Sequence, residues 1–194
     1  MTTTPRRHGR RRAAEEPPTT GSAAVDAEPD PESVARTIAL RELTGAPRSR
    51  AQLRATMAKR DVPQDVTERV LDRFEEVGLL DDAEYARTWV RSRHTGRGLA
   101  RRALAHELAS RGIAPELAAE ALDQVDEGDE LQAARALVAR RLAATRGLDH
   151  DVRVRRLVGM LARKGYSSTL ALRVVKGALA IDSEDLDKSG GPPG

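Results

Sequence analysis

Clusters of basic side chains are the feature of this sequence best suited to chemical recognition. Twelve of them fall into two groups: Arg91, Arg93, Arg97, Arg101 and Arg102, and then Arg153, Arg155, Arg156, Arg163, Lys164, Arg173 and Lys176. The guanidinium group binds phosphate and carboxylate alike, because its planar fork of N–H donors matches paired oxygens. Taken together the clusters predict a contact surface for a polyanion or an acidic protein. Taken singly, each residue is equally consistent with a solvated helix face.

The distribution of charge supports a basic surface in the second half of the chain. The net charge is only +3, but residues 131–180 hold eleven basic residues against two acidic ones. Residues 33–80 are nearly balanced, and residues 112–130 are acidic. Such asymmetry indicates that one part of the molecule faces an acidic partner.

Side chains arranged for catalysis are not found in the sequence. His94, His106 and His150 do not have the spacing of metal ligands, and there is no cysteine to complete such a site. Gly96-x-Gly98 lacks the remaining residues of a phosphate-binding loop, and Asp81-Asp82 is better explained by helix capping than by an acid pair. The sequence therefore predicts a protein without enzymatic activity, cofactor or metal.

The arginine clusters lie in a unit of about fifty residues that occurs three times. A shift of 51 residues aligns the apolar positions of the first unit with the second, and a further shift of 53 reaches the third. Leu53, for example, aligns with Leu104 and Leu157. Within each unit the apolar residues have helical spacing and glycines end the helices. The predicted fold is all-α, with three tandem three-helix repeats in an elongated arrangement.

The predicted domain boundaries follow from this period. The repeats span residues 32–80, 81–128 and 129–181, and we expect disordered tails at 1–31 and 182–194 because few apolar residues occur there. Arginines in the first tail, at residues 6–12, are interpreted as solvated or as a non-specific nucleic-acid arm. No apolar stretch reaches the length of a membrane span, so we expect a cytoplasmic protein that does not bind a membrane.

A helix-turn-helix interpretation of each repeat is disfavoured by charge. The third helix would enter the major groove, yet in the first repeat it carries Glu68, Asp72 and Glu75. The second repeat places Glu116 and Glu120 in a similar position. Carboxylates along this face would be repelled by the phosphates on both sides of the groove. Sequence-specific DNA reading by all three repeats is therefore not expected.

Several motifs of the sequence resemble those of the RecX family of recombination regulators, over residues 33–180. They are Pro47-Arg48-Ser49-x-x-x-Leu53, Gly78-Leu79-Leu80-Asp81-Asp82-x-x-Tyr85-Ala86, Gly96-x-Gly98-x-x-Arg101, Glu107-Leu108-x-x-x-Gly112-Ile113 and Arg163-Lys164-Gly165-Tyr166. The sequence departs from the family pattern at Gln52, where glutamate is usual, and at Tyr166, where phenylalanine is usual. Neither departure threatens the fold.

The resemblance implies a monomeric, non-enzymatic protein that binds the RecA filament on single-stranded DNA. There it would inhibit filament growth, ATP hydrolysis and strand exchange, with consequences for homologous recombination, DNA repair and the SOS response. The twelve basic residues named above are assigned from charge and not from the family, and direct contact with DNA remains open for them. The alternative is a general DNA-binding or architectural helical protein.

Overall fold

The computed structural model describes residues 30–189, with side chains described as far as Ser183. In this range the chain forms nine α-helices and one short 3-10 helix, with no strand. The α-helices are α1 (Pro31–Gly45), α2 (Arg50–Ala58), α3 (Gln64–Glu76), α4 (Asp82–Arg97), α5 (Arg101–Ala109), α6 (Pro115–Leu122), α7 (Glu127–Leu142), α8 (His150–Arg163) and α9 (Ser168–Ser189). The prediction of an all-α protein built from three three-helix repeats is confirmed.

Local sequence signals fix where several helices begin and end. Ser49 caps α2, because its side chain accepts the Gln52 N–H while the Gln52 side chain accepts the Ser49 N–H. Pro115 occupies the first turn of α6, where no backbone donor is needed. Gly98 ends α4 in the left-handed conformation, at φ 59°, which glycine adopts without strain. All three residues are of types that favour these helix ends.

Each repeat has a hydrophobic core of its own. Leu53, Met57 and Leu71 lie at the centre of the first core, and Leu104 and Leu108 in the second. The third core contains Val138, Leu157 and Leu161 together with Ala100 from the second repeat. Within the described range, two helices in extensive contact always come from the same repeat. Because helices of this length are marginal alone, these cores hold them in place.

The first junction joins α2 to the turn between α5 and α6. The Ser49 hydroxyl donates to the Arg111 carbonyl oxygen at 2.6 Å, and the Arg50 N–H donates to the Asp82 carboxylate at 2.8 Å. Next to Arg111, Gly112 has φ +71°, and a Cβ placed there would lie 2.3 Å from the Ala51 Cβ. Only glycine permits this approach of the two backbones.

The second junction joins α5 to the turn between α8 and α9 in the same way. The Ala100 N–H donates to the Lys164 carbonyl oxygen at 2.9 Å, and the buried Tyr166 hydroxyl donates to the Gly98 carbonyl oxygen at 3.0 Å. Gly165, at φ +92°, faces Ala103. In both junctions, therefore, the turn after the second helix of one repeat packs on the start of the second helix of the preceding repeat.

The end of the third repeat differs from the sequence-based expectation. The helix α9 continues through residue 182 to Ser189, and Asp182 is buried, with 3% of its surface exposed. Its carboxylate accepts hydrogen bonds from Arg153 at 2.6 Å and from Arg146 at 2.8 Å. Residue 182 thus belongs to the folded repeat and not to a tail. Pro31, also placed in a tail by the sequence, begins α1, and residues 183–189 continue α9. Residues 1–29 and 190–194 of the predicted tails lie outside the described residues.

None of the helices in the described part of the chain combines the length and the apolar character needed to cross a membrane.

Candidate functional site

A groove between α7 and α8 brings basic side chains together in the third repeat. It has a volume of about 900 Å³ and is lined by Leu137, Arg140, Arg141, Ala144, Thr145, Val152, Arg155, Arg156, Leu157, Met160, Arg163 and Lys164. Six of these residues are basic and none is acidic. We refer to it as the basic groove.

Helix geometry explains why these side chains share one groove. Leu157 and Leu161 are one turn apart and point into the third core, which leaves Arg155 and Arg156 at the edge of the buried face of α8. Arg140 and Arg141 occupy the last turn of α7. Cations are favoured there because the carbonyl groups of the helix end carry partial negative charge. The basic groove forms where the last turn of α7 lies beside α8.

Five guanidinium groups of the basic groove are not engaged by the protein. Hydrogen bonds and ion pairs are found for most arginines of the described chain, but none involves the side chains of Arg140, Arg141, Arg155, Arg156 or Arg163 within that range. The remaining cation, Lys164, donates through Nζ to the Arg97 carbonyl oxygen at 2.5 Å. The basic groove therefore retains uncompensated positive charge facing solvent.

The first repeat shows the opposite arrangement. The Arg50 side chain contacts Glu68, Asp72 and Glu75 at 2.6–2.7 Å, and Arg54 contacts Glu68 at 2.6 Å. Hydrogen bonds from Arg54 and Arg50 lower the pKa of Glu68 to about 2. The carboxylates of α3 that argued against a DNA-reading helix are thus paired with arginines inside the repeat.

An ion pair present in the first two repeats is missing from the third. Arg50 and Arg101 begin the second helix of their repeats, and each reaches an aspartate on or just after the third helix, Asp72 and Asp123 respectively. The aligned positions in the third repeat are Val154 and Lys176. The ion pair between the helices is therefore replaced by an apolar residue and a further exposed cation.

Three of the arginines assigned to the contact surface have partners inside the chain. Arg93 lies over the Trp89 ring at 4.1 Å. Arg101 donates to the carbonyl oxygens of Leu122 and Val125, each at 2.7 Å, at the end of α6. Arg153 has a side chain that is only 11% exposed, and it pairs with Asp182. These contacts engage the three side chains within the fold, and their place on the contact surface stays a prediction.

The other assigned residues remain exposed but do not all face the basic groove. Arg97 lies beside it through its contact with Lys164. Arg91 and Arg102 are exposed on the second repeat, and Lys176 is exposed on α9. Arg173 borders a separate groove between α7 and α9. Of the twelve predicted residues, Arg155, Arg156, Arg163 and Lys164 are the ones that the structure brings together.

Arg140 and Arg141 are the groove residues that sequence reasoning missed. Both belong to the basic stretch 131–180, but they end the first helix of the third repeat and lie outside the two predicted clusters. A signal was present, since two adjacent arginines end a helix whose apolar face is already defined by Ala134 and Val138. Only the packing of α7 against α8 shows that they join the other cations.

Tyr85 and Trp89 pack as expected for residues in core register. Their rings are stacked with centroids 5.9 Å apart, and both are partly buried against the second core. The Trp89 ring N–H donates to Glu107 at 2.7 Å, and the Arg111 guanidinium lies 3.5 Å from the ring centroid. The faces of the ring are thus engaged by the protein, which leaves no stacking platform for bases.

In the described part of the chain, no group of three or more histidine, aspartate, glutamate or cysteine side chains is placed to hold a metal ion.

Known proteins match this chain over most of its length. Family models described as the first, second and third three-helix domains of RecX match residues 35–74, 81–122 and 128–175. A protein of Streptomyces coelicolor named "Regulatory protein RecX" is 55% identical to this chain, over 88% of this chain and 92% of its own length. The relative in Thermobifida fusca is 53% identical over 86% of this chain and 89% of its own.

A solved structure shares the fold. The crystal structure of RecX from Lactobacillus salivarius aligns with a TM-score of 0.69 at 18% identity, and the alignment covers 76% of this chain and 96% of that one. The family models and the close relatives together show the ancestry that the sequence motifs indicated. This chain belongs to the RecX family of regulatory proteins.

Proposed function

We propose that this protein binds the RecA filament on single-stranded DNA in the cytoplasm and inhibits its ATPase and strand exchange without catalysing a reaction. The observation that carries the proposal is the basic groove, with five guanidinium groups that have no carboxylate partner among the described residues. Membership of the RecX family supports RecA as the partner. The basic groove offers a surface for the negatively charged complex of RecA with DNA.

Electrostatics gives this surface a measurable signature. Each phosphate neutralised on single-stranded DNA contributes roughly 0.7 to the slope of log affinity against log salt. The six cations lining the groove would therefore give a slope of up to about 4 if each contacted one phosphate. Binding through apolar contacts alone would leave affinity nearly independent of salt, so the slope measures how much of the basic groove is used.

The test is the DNA-dependent ATPase of RecA in the presence of this protein. Wild-type protein should lower the rate at substoichiometric amounts, and the double variant Arg155→Glu with Arg156→Glu should lose most of this effect. The matched control is Arg69→Glu with Arg73→Glu, which changes net charge equally on the exposed face of α3. An unchanged ATPase at excess wild-type protein would refute the proposal.

General DNA binding is the second candidate, and the same groove favours it because guanidinium groups contact phosphates in bare DNA as well. The two functions predict different relative affinities for the RecA–DNA complex and for bare DNA. A filament regulator binds the RecA–DNA complex more tightly than bare single-stranded DNA at the same salt concentration. An architectural DNA-binding protein binds both equally, or prefers bare DNA, with a steep salt dependence.

A further inference from the structure

A second groove lies on the other side of α7, between α7 and α9, and differs in chemistry from the basic groove. It has a volume of about 580 Å³ and is lined by Leu131, Arg135, Ala139, Leu142, Arg173, Val174, Gly177, Ala178 and Ile181. Seven of these nine residues are apolar or glycine, and the two polar ones are both arginine. We refer to it as the apolar groove.

The apolar groove exposes surface that a repeat of this size normally buries. Ile181 is 62% exposed, although it follows Val174 and Ala178 on the face of α9 that packs into the core. Leu131 to Leu142 line the α7 side, a distance of about 16 Å along the helix. Three turns of a partner helix match this length.

Gly177 lines the apolar groove on the exposed side of α9. It lies inside α9, where glycine is the least favourable residue after proline. A Cβ at this position would meet no atom within 4 Å, and φ is not in the left-handed range. Neither packing nor backbone conformation in the described residues therefore requires glycine here. Its effect is to leave space for an inserted side chain.

The charges at the rim indicate what kind of partner fits. Arg135 and Arg173 form no ion pair within the described residues, and no acidic residue lines the apolar groove. A basic or neutral occupant would leave both guanidinium groups without partners. An amphipathic helix with large apolar side chains on one face and carboxylates at its edges would fill the floor and pair with both arginines.

We infer that the apolar groove binds an acidic amphipathic helix of the protein partner, while the basic groove on the opposite side of α7 binds phosphates. This rests on the proposed function, under which the protein partner is the recombinase subunit. The third repeat then contacts protein and nucleic acid at once, because Arg135 and Ala139 of α7 face one groove and Arg140 and Arg141 face the other.

The experiment measures affinity for DNA-free RecA and for single-stranded DNA in parallel. Gly177→Leu adds a large side chain to the lining of the apolar groove and should weaken binding to DNA-free RecA at least tenfold, with DNA affinity unchanged. Arg155→Glu with Arg156→Glu should weaken binding to single-stranded DNA and leave the affinity for DNA-free RecA unchanged. Gly177→Ala should weaken protein binding less while raising the melting temperature, since alanine is the better helix former.

Gly159→Ala is the matched control, because Gly159 lies inside α8, outside both grooves. It should raise the melting temperature and leave both affinities unchanged. Equal binding of DNA-free RecA by Gly177→Leu and wild type would overturn the inference, as would failure of the wild type to bind DNA-free RecA. In the latter case the ATPase of the filament still decides the proposed function separately. If the wild type were a dimer and Gly177→Leu dissociated it, the apolar groove would bind a second copy of this chain. That result would also overturn the inference.

Discussion

Replacing Gly112 by alanine tests how the repeats are joined. Gly112 has φ +71°, and its Cβ would lie 2.3 Å from the Ala51 Cβ across the first junction. Gly78 has the same φ of +71°, but nothing lies within 4 Å of a Cβ there. Gly78→Ala therefore measures the cost of the backbone conformation alone, and Gly112→Ala measures that cost together with the clash.

The two costs are separable in magnitude. A left-handed conformation costs a non-glycine residue about 1–2 kcal/mol, so Gly78→Ala should lower the free energy of unfolding by about that amount. Overpacking at a rigid contact adds typically 1–3 kcal/mol. Gly112→Ala must push the two Cβ atoms apart by about 1 Å to restore ordinary contact, so we expect a total loss of about 2–5 kcal/mol.

Urea unfolding followed by circular dichroism gives the free energies, and the fluorescence of Trp89 reports the junction itself. Trp89 is the only tryptophan, and its ring contacts Arg111, the neighbour of Gly112, at 3.5 Å. Ala51→Gly removes the clashing Cβ, so the double variant should be about 1–3 kcal/mol more stable than the sum of the single effects. The reasoning is refuted if Gly112→Ala costs no more than Gly78→Ala, or if the double-mutant cycle shows no coupling.

Two side chains of the third repeat give further predictions. Tyr166→Phe should cost about 1 kcal/mol, because the hydrogen bond to Gly98 is lost. Burial raises the pKa of Tyr166 from 10.0 to about 12, so the unfolded state ionises first and wild-type stability should fall as pH rises above 10, narrowing the gap to the variant in alkaline urea titrations. Asp182→Asn should cost about 1.5–3 kcal/mol in urea unfolding at neutral pH. Hydrogen bonds from Arg153 and Arg146 lower the pKa of Asp182 below 3.8, so the wild type should lose stability as pH falls below that value, and the variant should lose less. Parallel pH curves for either pair would contradict these assignments.

The fold was largely predictable because its determinants are local. The period of the apolar residues follows from helix geometry and from three cores of similar size, so it is visible in the sequence. Caps such as Ser49 and Pro115 act through hydrogen bonds and backbone angles within a few residues. The end of the third repeat was harder to predict, because Asp182 is stabilised by arginines about thirty residues earlier in the chain.

The candidate site was only partly predictable because the role of an arginine depends on what packs beside it. Arg153 and Arg155 are two residues apart on α8, yet one is paired with buried Asp182 and the other lines the basic groove. Charge counting cannot separate them. The contribution of Arg140 depends on the contact of α7 with α8, which the repeat pattern implies without specifying its geometry. The sequence located the basic surface, and tertiary packing selected its members.

The turn that joins the repeats carries a different residue in the first repeat. The position aligned with Gly112 and Gly165 is Asp61, which has φ 57°. Aspartate tolerates this conformation better than most residues, so the turn keeps its shape. Its Cβ, however, fills the space through which the glycines approach a preceding helix. The close backbone approach seen at the two junctions therefore depends on glycine at this position.

The third repeat differs at the start of its second helix, because α8 is longer than α5. In the second junction the N–H of Ala100, just before α5, is free to donate to the next repeat. The aligned residue of the third repeat is Arg153, which lies inside α8 because this helix begins at His150. The Arg153 N–H already donates to the Asp149 carbonyl oxygen at 3.0 Å. The backbone N–H that joins the second repeat to the third therefore has no free counterpart at the aligned position of the third repeat.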